Sequence, residues 1–300
     1  MLIRPFVDRP ITDRPAADAA AIEAARRWRL DEPRLLRVGM NAIYLTADPA
    51  DDLVLRVGAP SAPPESAVEL ATYLADQGLR VAQPRRFDAV VVDDLSVTCW
   101  ERVAGSGDPI DWSAVGAMVR IVHELDPGRL PRSYPLASPT SFAWWDFEAL
   151  IDEVGDDIDD GARSGLLAAI ERHAGWREFD GGVVCHGDVH PGNVMMTVDG
   201  PVLIDWDLLC FAPAGWDHGP MMTWHERWGG AAGDYEAFAA GYGASLRGDP
   251  DAEAIAELRL VAATLMRVKA ARRDPTAGVE ADRRLAYWRG DPDAPPWTAQ

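Results

Sequence analysis

The sequence is poor in cysteine and lacks long apolar runs. Its three cysteines, Cys99, Cys185 and Cys210, are irregularly spaced, which fits neither a disulfide framework nor a zinc site. No run approaches the roughly 20 apolar residues of a membrane span, and Met1 to Pro10 contain no apolar core of a signal peptide. We therefore expect a cytoplasmic, reduced protein with no membrane partner.

Positive charge is also scarce. The chain carries 48 acidic against 29 basic residues, which gives a formal net charge of −19, and Lys269 is its only lysine. This sign repels phosphate backbones and anionic lipid surfaces, so we expect no nucleic-acid partner. The charge is compatible with a cationic small-molecule substrate, and equally with an acidic surface that keeps the protein soluble.

The 300 residues are long enough to build two lobes with separate cores. Hydrophobic periodicity predicts a small antiparallel sheet in the first third of the chain and mostly helices in the rest. The predicted strands cover residues 35–38, 43–46, 53–57, 81–84, 89–92 and 97–100. The predicted helices cover residues 16–28, 63–78, 111–125, 141–158, 164–174, 234–246, 251–272 and 276–288.

Three oxygen-bearing side chains lie close together in the second half of the sequence. An apolar run leads into His186-Gly187-Asp188, a Pro-Gly turn delivers Asn193 five residues after Asp188, and a second apolar run delivers Asp205. Magnesium prefers hard oxygen donors, which suits Asn193 and Asp205 and leaves Asp188 free of that role. Alternatively, all three are ordinary turn residues, since Asp and Asn are favoured in turns.

The order H-G-D-x-x-x-x-N followed by I-D-W-D resembles the catalytic core of the aminoglycoside phosphotransferase and choline kinase family. The resemblance implies an α+β, bilobal, protein-kinase-like fold. Its small antiparallel-sheet N-lobe would span residues 1–103, with a hinge at residues 101–105 and a mostly helical C-lobe in residues 104–300. It also implies ATP or GTP as phosphate donor, Mg²⁺ as cofactor and a small-molecule acceptor.

The resemblance assigns roles to the residues of this core. Asp188 would orient and deprotonate the acceptor hydroxyl, while Asn193 and Asp205 would hold magnesium across the phosphates. His190 would either contact the transferring phosphoryl group or brace the loop. Asp217, in a later loop, would brace the backbone of the catalytic loop or be an ordinary exposed aspartate.

The nucleotide would be bound by the first lobe. The loop that contains Gly39 and Asn41 would fold over the phosphates, since glycine permits close approach of the backbone. The backbone of the hinge, at Glu101 and Val103, would pair with the nucleotide base. Kinases place a lysine on the third strand, where this chain has Arg56. Arg56 would grip phosphate in its stead, or would be an outward-facing strand arginine.

A second departure concerns the glutamate that holds this strand cation in kinases. The apolar stripe of the predicted helix at residues 63–78 puts Ala67 at the expected place, and Glu65 and Glu69 lie about 200° away around the helix. The expected ion pair is therefore in doubt. Asp207 would support the metal from outside its ligand shell, or would be a charged turn residue.

The sequence thus predicts a phosphotransferase that moves the terminal phosphate of ATP or GTP to a hydroxyl of an aminoglycoside-like compound, another antibiotic or an amino sugar. A choline-type or amino-alcohol kinase is an alternative, because Trp206, Trp216, Trp224 and Trp228 could form an aromatic cage for a quaternary amine. The carboxylates of the predicted helix at residues 141–158 would suit a polyamine-like acceptor, or would simply be solvated. The missing lysine and displaced glutamate also allow a catalytically silent nucleotide-binding module.

Overall fold

The computed structural model describes residues 10–48, 52–175 and 181–298. The chain forms two compact units. The first consists of Met1–Ile110, Asp126–Leu136 and Asn193–Leu208, and the second of Asp111–Leu125, Ala137–Gly192 and Leu209–Gln300. Two later segments thus group with the first 110 residues, an interleaving that the sequence did not predict, and the lobe boundary at residues 101–105 stays a prediction. No helix within the described ranges is both long and apolar enough to cross a bilayer.

The first unit is built on a five-stranded antiparallel sheet with the order β1-β2-β3-β5-β4. The strands are β1 (Arg34–Val38), β2 (Ala42–Ala47), β3 (Asp52–Gly58), β4 (Val90–Val92) and β5 (Leu95–Glu101). Burial alternates along the central strand, where Leu53, Leu55 and Val57 face the core. Arg56 lies between two of these positions, so its side chain leaves the opposite face of the sheet.

Two helices belong to this unit. The first, α1 (Arg14–Trp28), packs a row of small alanines against β2, β3 and β5, and the side chain of Asp13 caps its first turn by accepting from the Ala16 amide. The second, α2 (Glu65–Asp76), ends before Gly78, which has φ of +85°. Of the residues predicted for the buried stripe of α2, Leu70, Ala71 and Leu74 are buried, whereas Ala67 is only half-buried and its neighbour Val68 is buried instead.

A two-stranded hairpin completes the first unit. It consists of β7 (Val194–Thr197) and β8 (Gly200–Leu203), with Thr197 opposite Gly200 across the Asp199-Gly200 turn. The Ile204 amide donates to the Asn193 carbonyl at 3.0 Å and so extends the pairing by one step. Asn193 and Asp205 therefore flank the base of one short hairpin.

The second unit is mostly helical. Its helices are α3 (Trp112–His123), α4 (Phe147–Val154), α5 (Asp160–Arg172), α6 (Gly215–Met222), α7 (Trp224–Trp228), α8 (Asp234–Tyr242), α9 (Pro250–Ala271) and α10 (Pro275–Trp288). Strands β6 (Val183–Cys185) and β9 (Cys210–Ala212) form a small antiparallel pair. The long α9 lies at the centre, where α4, α5, α6 and α10 pack on it.

The predicted helix at residues 141–158 is wrong in extent. Short 3₁₀ turns occupy Pro139–Ser141 and Ala143–Trp145, and α4 begins only after Asp146, whose carboxylate caps it by accepting from the Ala149 amide. Gly155, at φ of +50°, ends α4. The sequence pattern gave no sign of these breaks, because the 3₁₀ turns bury Trp145 and so continue the apolar stripe of the predicted helix.

The short α6 was not predicted. It packs closely on α9, since a Cβ added at Gly215 would lie 2.7 Å from the Ala252 Cα, and one at Gly219 would lie 3.1 Å from the Ala256 Cα. This close approach places Asp217, on α6, deep in the second unit with no exposed surface.

Candidate active site

The loop that follows β6, residues 186–192, carries Asp188, the predicted base, and we name it the catalytic loop after this predicted role. Both carboxylate oxygens of Asp188 have cationic or imidazole neighbours: Arg259 Nη2 lies 3.3 Å from Oδ1, and His190 Nε2 lies 3.4 Å from Oδ2. Arg259 also donates through Nη1 to the Gly187 carbonyl at 3.0 Å. Asp188 is thus held on both sides while its side chain keeps 31% of its surface exposed.

These neighbours determine the protonation of Asp188. Burial alone would raise the pKa of its carboxyl, but the hydrogen bond from His190 and the charges of His190 and Arg259 outweigh burial and lower the pKa to about 2. Asp188 is therefore ionised throughout the neutral range. An ionised carboxylate can orient a hydroxyl and accept its proton as the reaction proceeds.

Arg259 was missed by the sequence reasoning. Its guanidinium lies over the rings of Trp144 and Trp216, at 5.5 and 5.2 Å from their centroids, and its side chain is only 13% exposed. The available signal was its spacing, since it follows Ile255 by four residues and so shares the buried side of α9. A cation inside an apolar stripe marks a place where charge is specifically paired.

His190 has a defined orientation in the catalytic loop. Its Nδ1 lies 3.0 Å from the Gly192 amide, which donates to it, and its Nε2 faces Asp188. The ring also stacks on Trp224, with centroids 6.5 Å apart. A Cβ at Gly192 would lie 2.7 Å from the His190 ring, so this arrangement needs glycine there. The predicted phosphoryl contact of His190 stays a prediction.

Asp217 braces the catalytic loop, as predicted. Its carboxylate accepts from the His186 amide and the Gly187 amide, both at 2.8 Å, and lies 3.1 Å from His123 Nε2. Burial would raise the pKa of Asp217, but the hydrogen bond and charge of His123 outweigh it and lower the pKa. His123 is itself bonded through Nδ1 to the Tyr242 hydroxyl at 2.9 Å.

Asn193 and Asp205, the predicted metal ligands, belong to the first unit. Asn193 is buried, with 7% exposure, and Asp205 has a side chain that is 41% exposed. The backbone of Asp205 adopts φ of +62°, a left-handed conformation that is uncommon outside glycine and is concentrated at functional sites. Their amide and carboxylate oxygens are the hard donors that magnesium binds, so the side chains fit the cofactor.

Arg56 is paired with carboxylates from the segment after β8. Its Nη2 donates to Asp207 Oδ2 and lies 3.9 Å from Asp205 Oδ1. Burial lowers the pKa of Arg56, but the charges of Asp207 and Asp205 outweigh it, and the pKa is raised. Arg56 is therefore not an exposed strand arginine. Glu69, one of the two glutamates on α2, accepts a hydrogen bond from the Ser133 hydroxyl and not from Arg56.

Arg56 and Asp207 line a pocket within the first unit. Asn41, Ala67 and Tyr134 are among its other walls. The side chain of Asn41 lies against β3, because a Cβ at Gly58 would fall 2.1 Å from Asn41 Oδ1. Gly58 was not predicted as a site residue, and it is required by this close approach.

Within the described ranges, no comparable close approach is found at Gly39, Glu101 or Val103, the other residues predicted to contact the nucleotide. A Cβ at Gly39 would meet nothing within 4 Å, and the Gly39 amide donates to the Asn41 carbonyl at 3.0 Å. Glu101 ends β5, and its amide donates to the Gln83 carbonyl at 2.9 Å. Val103 lies in the irregular segment that follows. Nucleotide binding by Gly39, Glu101 and Val103 stays a prediction.

The model of a family described as "Phosphotransferase enzyme family" (APH) matches residues 34–260. Curated proteins gave no significant match.

Solved structures of antibiotic phosphotransferases are similar to this chain. They include spectinomycin phosphotransferase APH(9)-Ia in complex with ADP and spectinomycin, at 15% identity and a TM-score of 0.63, covering 91% of this chain and 93% of the other. Amicoumacin kinase hAmiN, in complex with AMP-PNP and Ca²⁺, has 14% identity and a TM-score of 0.69, with coverages of 95% and 98%. Macrolide 2'-phosphotransferase MphH from Brachybacterium faecium has 20% identity and a TM-score of 0.57, with coverages of 91% and 98%. The predicted α+β, protein-kinase-like fold class is confirmed.

Proposed function

Because the chain belongs to the phosphotransferase enzyme family, we propose that it transfers the terminal phosphate of ATP or GTP to a hydroxyl group of a small molecule. The observation that carries this proposal is the arrangement of Asp188. Its carboxylate is ionised, partly exposed and held by His190 and Arg259 on a loop that Asp217 braces. A loop carboxylate that is ionised, partly exposed and fixed in orientation is suited to act on a substrate hydroxyl.

Asp188 would act on the acceptor. One carboxylate oxygen accepts the hydrogen bond of the acceptor hydroxyl, aims the hydroxyl oxygen at the terminal phosphate and takes the proton as the new P–O bond forms. The phosphoryl group passes through a loose transition state, so orientation matters more than the strength of the base. His190 and Arg259 would keep the carboxylate in one rotamer during this step.

The donor nucleotide would be bound by residues of the first unit. Asn193 and Asp205 would hold Mg²⁺, which when bound neutralises charge on the phosphates. Arg56 would contribute a fixed positive charge to the phosphates, and the loop with Gly39 and Asn41 would cover them.

We place the acceptor among aminoglycoside-like compounds, other antibiotics and amino sugars. The similar structures named above bear names of antibiotic phosphotransferases, which supports this class. No specific observation favours a choline-type kinase, since Trp216 and Trp224 are buried at 0% and 9% exposure and their packing accounts for them.

The test is phosphate transfer from ATP and from GTP, with Mg²⁺, to a panel of aminoglycosides, macrolides, nucleoside antibiotics, amino sugars and choline. Asp188→Asn should abolish transfer and leave nucleotide affinity within a few-fold, because Asp188 acts on the hydroxyl. Asp199→Asn is the matched control, since Asp199 is an exposed aspartate of the β7–β8 turn with 78% side-chain exposure. Nucleotide binding without transfer to any acceptor would favour the silent module, and near-parental turnover in Asp188→Asn would contradict the assignment of the base.

A further inference from the structure

The backbone of Arg56, the cationic residue of the central strand β3, is tightly constrained. Arg56 lies in the centre of the sheet, opposite Ile43 on β2 and Thr98 on β5. Its strand neighbours Leu55 and Val57 are fully buried on the other face. The backbone of Arg56 is therefore fixed, but a long arginine side chain can still adopt many rotamers. Some other group must select the rotamer that faces a ligand.

Helix α2 does not provide that group. Ser66 and Ala67 are its residues on the pocket that Arg56 lines, and neither bears a carboxylate. In protein kinases a glutamate of the corresponding helix pairs with the strand cation, and the pair must form for activity. Among the described residues, the carboxylates within ion-pair distance of Arg56 come instead from the segment after β8: Asp207, which accepts a hydrogen bond, and Asp205 at 3.9 Å.

Asp207 is held in place by its own surroundings. It lies in the 3₁₀ turn Trp206–Leu208, whose Trp206 carbonyl accepts from the Tyr134 hydroxyl at 2.6 Å. The Trp206 indole donates to the Leu203 carbonyl at 3.2 Å and so ties the turn back to β8. A carboxylate on a clamped turn loses little entropy when it orients a partner. Tyr134 also lines the pocket with Arg56 and Asp207.

We infer that Asp207 is the positioning residue of the nucleotide site, and that it orients Arg56 toward the donor phosphates in place of a glutamate on α2. This inference rests on the proposed function. An arginine suits the arrangement better than a lysine, because its planar guanidinium carries five N–H donors and can engage a carboxylate on one side and a phosphate on another.

The inference differs from a role of Asp207 on the metal, and a double-mutant cycle separates the two. If Asp207 acts through Arg56, removing it adds nothing once Arg56 is gone. If Asp207 acts on magnesium, its removal weakens binding in either background and weakens it only when magnesium is present.

The experiment measures ADP and AMP-PNP affinity by calorimetry, with Mg²⁺ and with EDTA, for the parent, Arg56→Gln, Asp207→Asn and the double variant. We expect each single change to weaken binding about 10- to 100-fold, the range for a lost charged hydrogen bond, and the double variant to match Arg56→Gln within about twofold. Steady-state kinetics should show a raised KM for the nucleotide and an unchanged KM for the acceptor. Asp207→Glu, which keeps the charge, should recover part of the affinity.

Asp199→Asn is the control, because Asp199 is also an aspartate of this unit and lies 4.0 Å from Arg80. Thermal unfolding of every variant checks folding, and if Asp207→Asn does not fold, Asp207→Glu carries the cycle. Parental affinity in the Asp207 variant overturns this inference alone, as do additive losses in the double variant. Failure of the parent to bind any nucleotide overturns the proposed function and this inference together.

Discussion

Replacing Arg259 by methionine tests how the catalytic loop holds its base. Arg259 reaches from α9 to Asp188 Oδ1 at 3.3 Å and to the Gly187 carbonyl at 3.0 Å. Methionine retains a long unbranched side chain against Trp144 and Trp216, so the change removes the two hydrogen bonds and the charge while most of the packing volume stays. In this variant Asp188 Oδ2 would keep His190 as a neighbour, but Oδ1 would lose Arg259.

The expected loss follows from these contacts. A hydrogen bond to a charged group contributes about 1.5 to 3 kcal/mol, and the one to Asp188 acts on the rotamer that meets the acceptor. Each 1.36 kcal/mol changes a rate tenfold, so Arg259→Met should lower kcat by about 10- to 100-fold. Nucleotide affinity should not change, since the hydrogen bonds of Arg259 are made to the catalytic loop. Arg259→Lys should recover part of the rate.

The pH dependence gives a second readout. The pKa of Asp188 is about 2 because the lowering effects of His190 and Arg259 exceed the effect of burial. In the parent, loss of activity through protonation of Asp188 is therefore confined to strongly acidic pH. Without Arg259 the pKa of Asp188 rises, so the acid limb of kcat/KM moves to higher pH.

The assays, for the parent and Arg259→Met, are steady-state transfer at neutral pH and transfer measured after short pH jumps down to about pH 2, where the acid limb of the parent lies. Arg272→Met is the matched control, because Arg272, at the carboxyl end of α9, also bonds one carboxylate and one carbonyl, those of Asp157 and Val154. A kcat within twofold of the parent, together with an unmoved acid limb, would refute the positioning role of Arg259.

Two further predictions concern the pH dependence of the free energy of unfolding and the contact between Gly58 and Asn41. His218 is fully buried, and burial, with repulsion from His123, lowers its pKa to about 4 from 6.5. The unfolded chain therefore binds a proton that the folded chain does not, and the free energy of unfolding should fall by about 3 kcal/mol from pH 6.5 to 4. Urea titrations across this range should show a smaller fall in His218→Gln, and equal falls would contradict the assignment. Gly58→Ala should weaken AMP-PNP binding several-fold in calorimetry without loss of folding, because a Cβ there would displace Asn41; unchanged affinity would remove Asn41 from the site.

Much of the fold was predictable because its signals are local. The alternation of β2 and β3, the Asp-Gly turn of the β7–β8 hairpin and the long apolar stripe of α9 are each encoded in a few adjacent residues. The extent of α4 was missed because its start depends on a capping aspartate, Asp146, inside a continuous apolar pattern. The short α6 was missed because its formation depends on glycines that meet α9, which is distant in sequence.

The candidate site likewise contains residues that a local motif predicts and residues that are distant from it in sequence. The motif spacing predicts Asp188, Asn193 and Asp205 as site residues, because these side chains lie within 18 residues of sequence and their order is characteristic. Their supporting residues come from elsewhere in the chain. Arg259 follows Asp188 by 71 residues, and the partner of Arg56 lies 151 residues away. Sequence spacing does not determine such pairs; the packing of whole elements does.

The large negative net charge of the chain, −19, is only weak evidence for a cationic acceptor. The carboxylates around α4, expected to attract a polyamine or to be solvated, are partly neutralised within the second unit. Glu153 pairs with Lys269 at 3.1 Å, and Asp157 pairs with Arg272. Nearer the base, the charge introduced by Arg259 is positive. An acceptor with a cationic group beside its reacting hydroxyl would meet both that guanidinium and the ionised, more exposed carboxylate of Asp188, so repulsion and attraction largely offset each other there. If the proposed acceptor is a cationic antibiotic or amino sugar, the charge beside the base does not dictate where its amines lie, and a comparison of regioisomeric amino-sugar acceptors tests this.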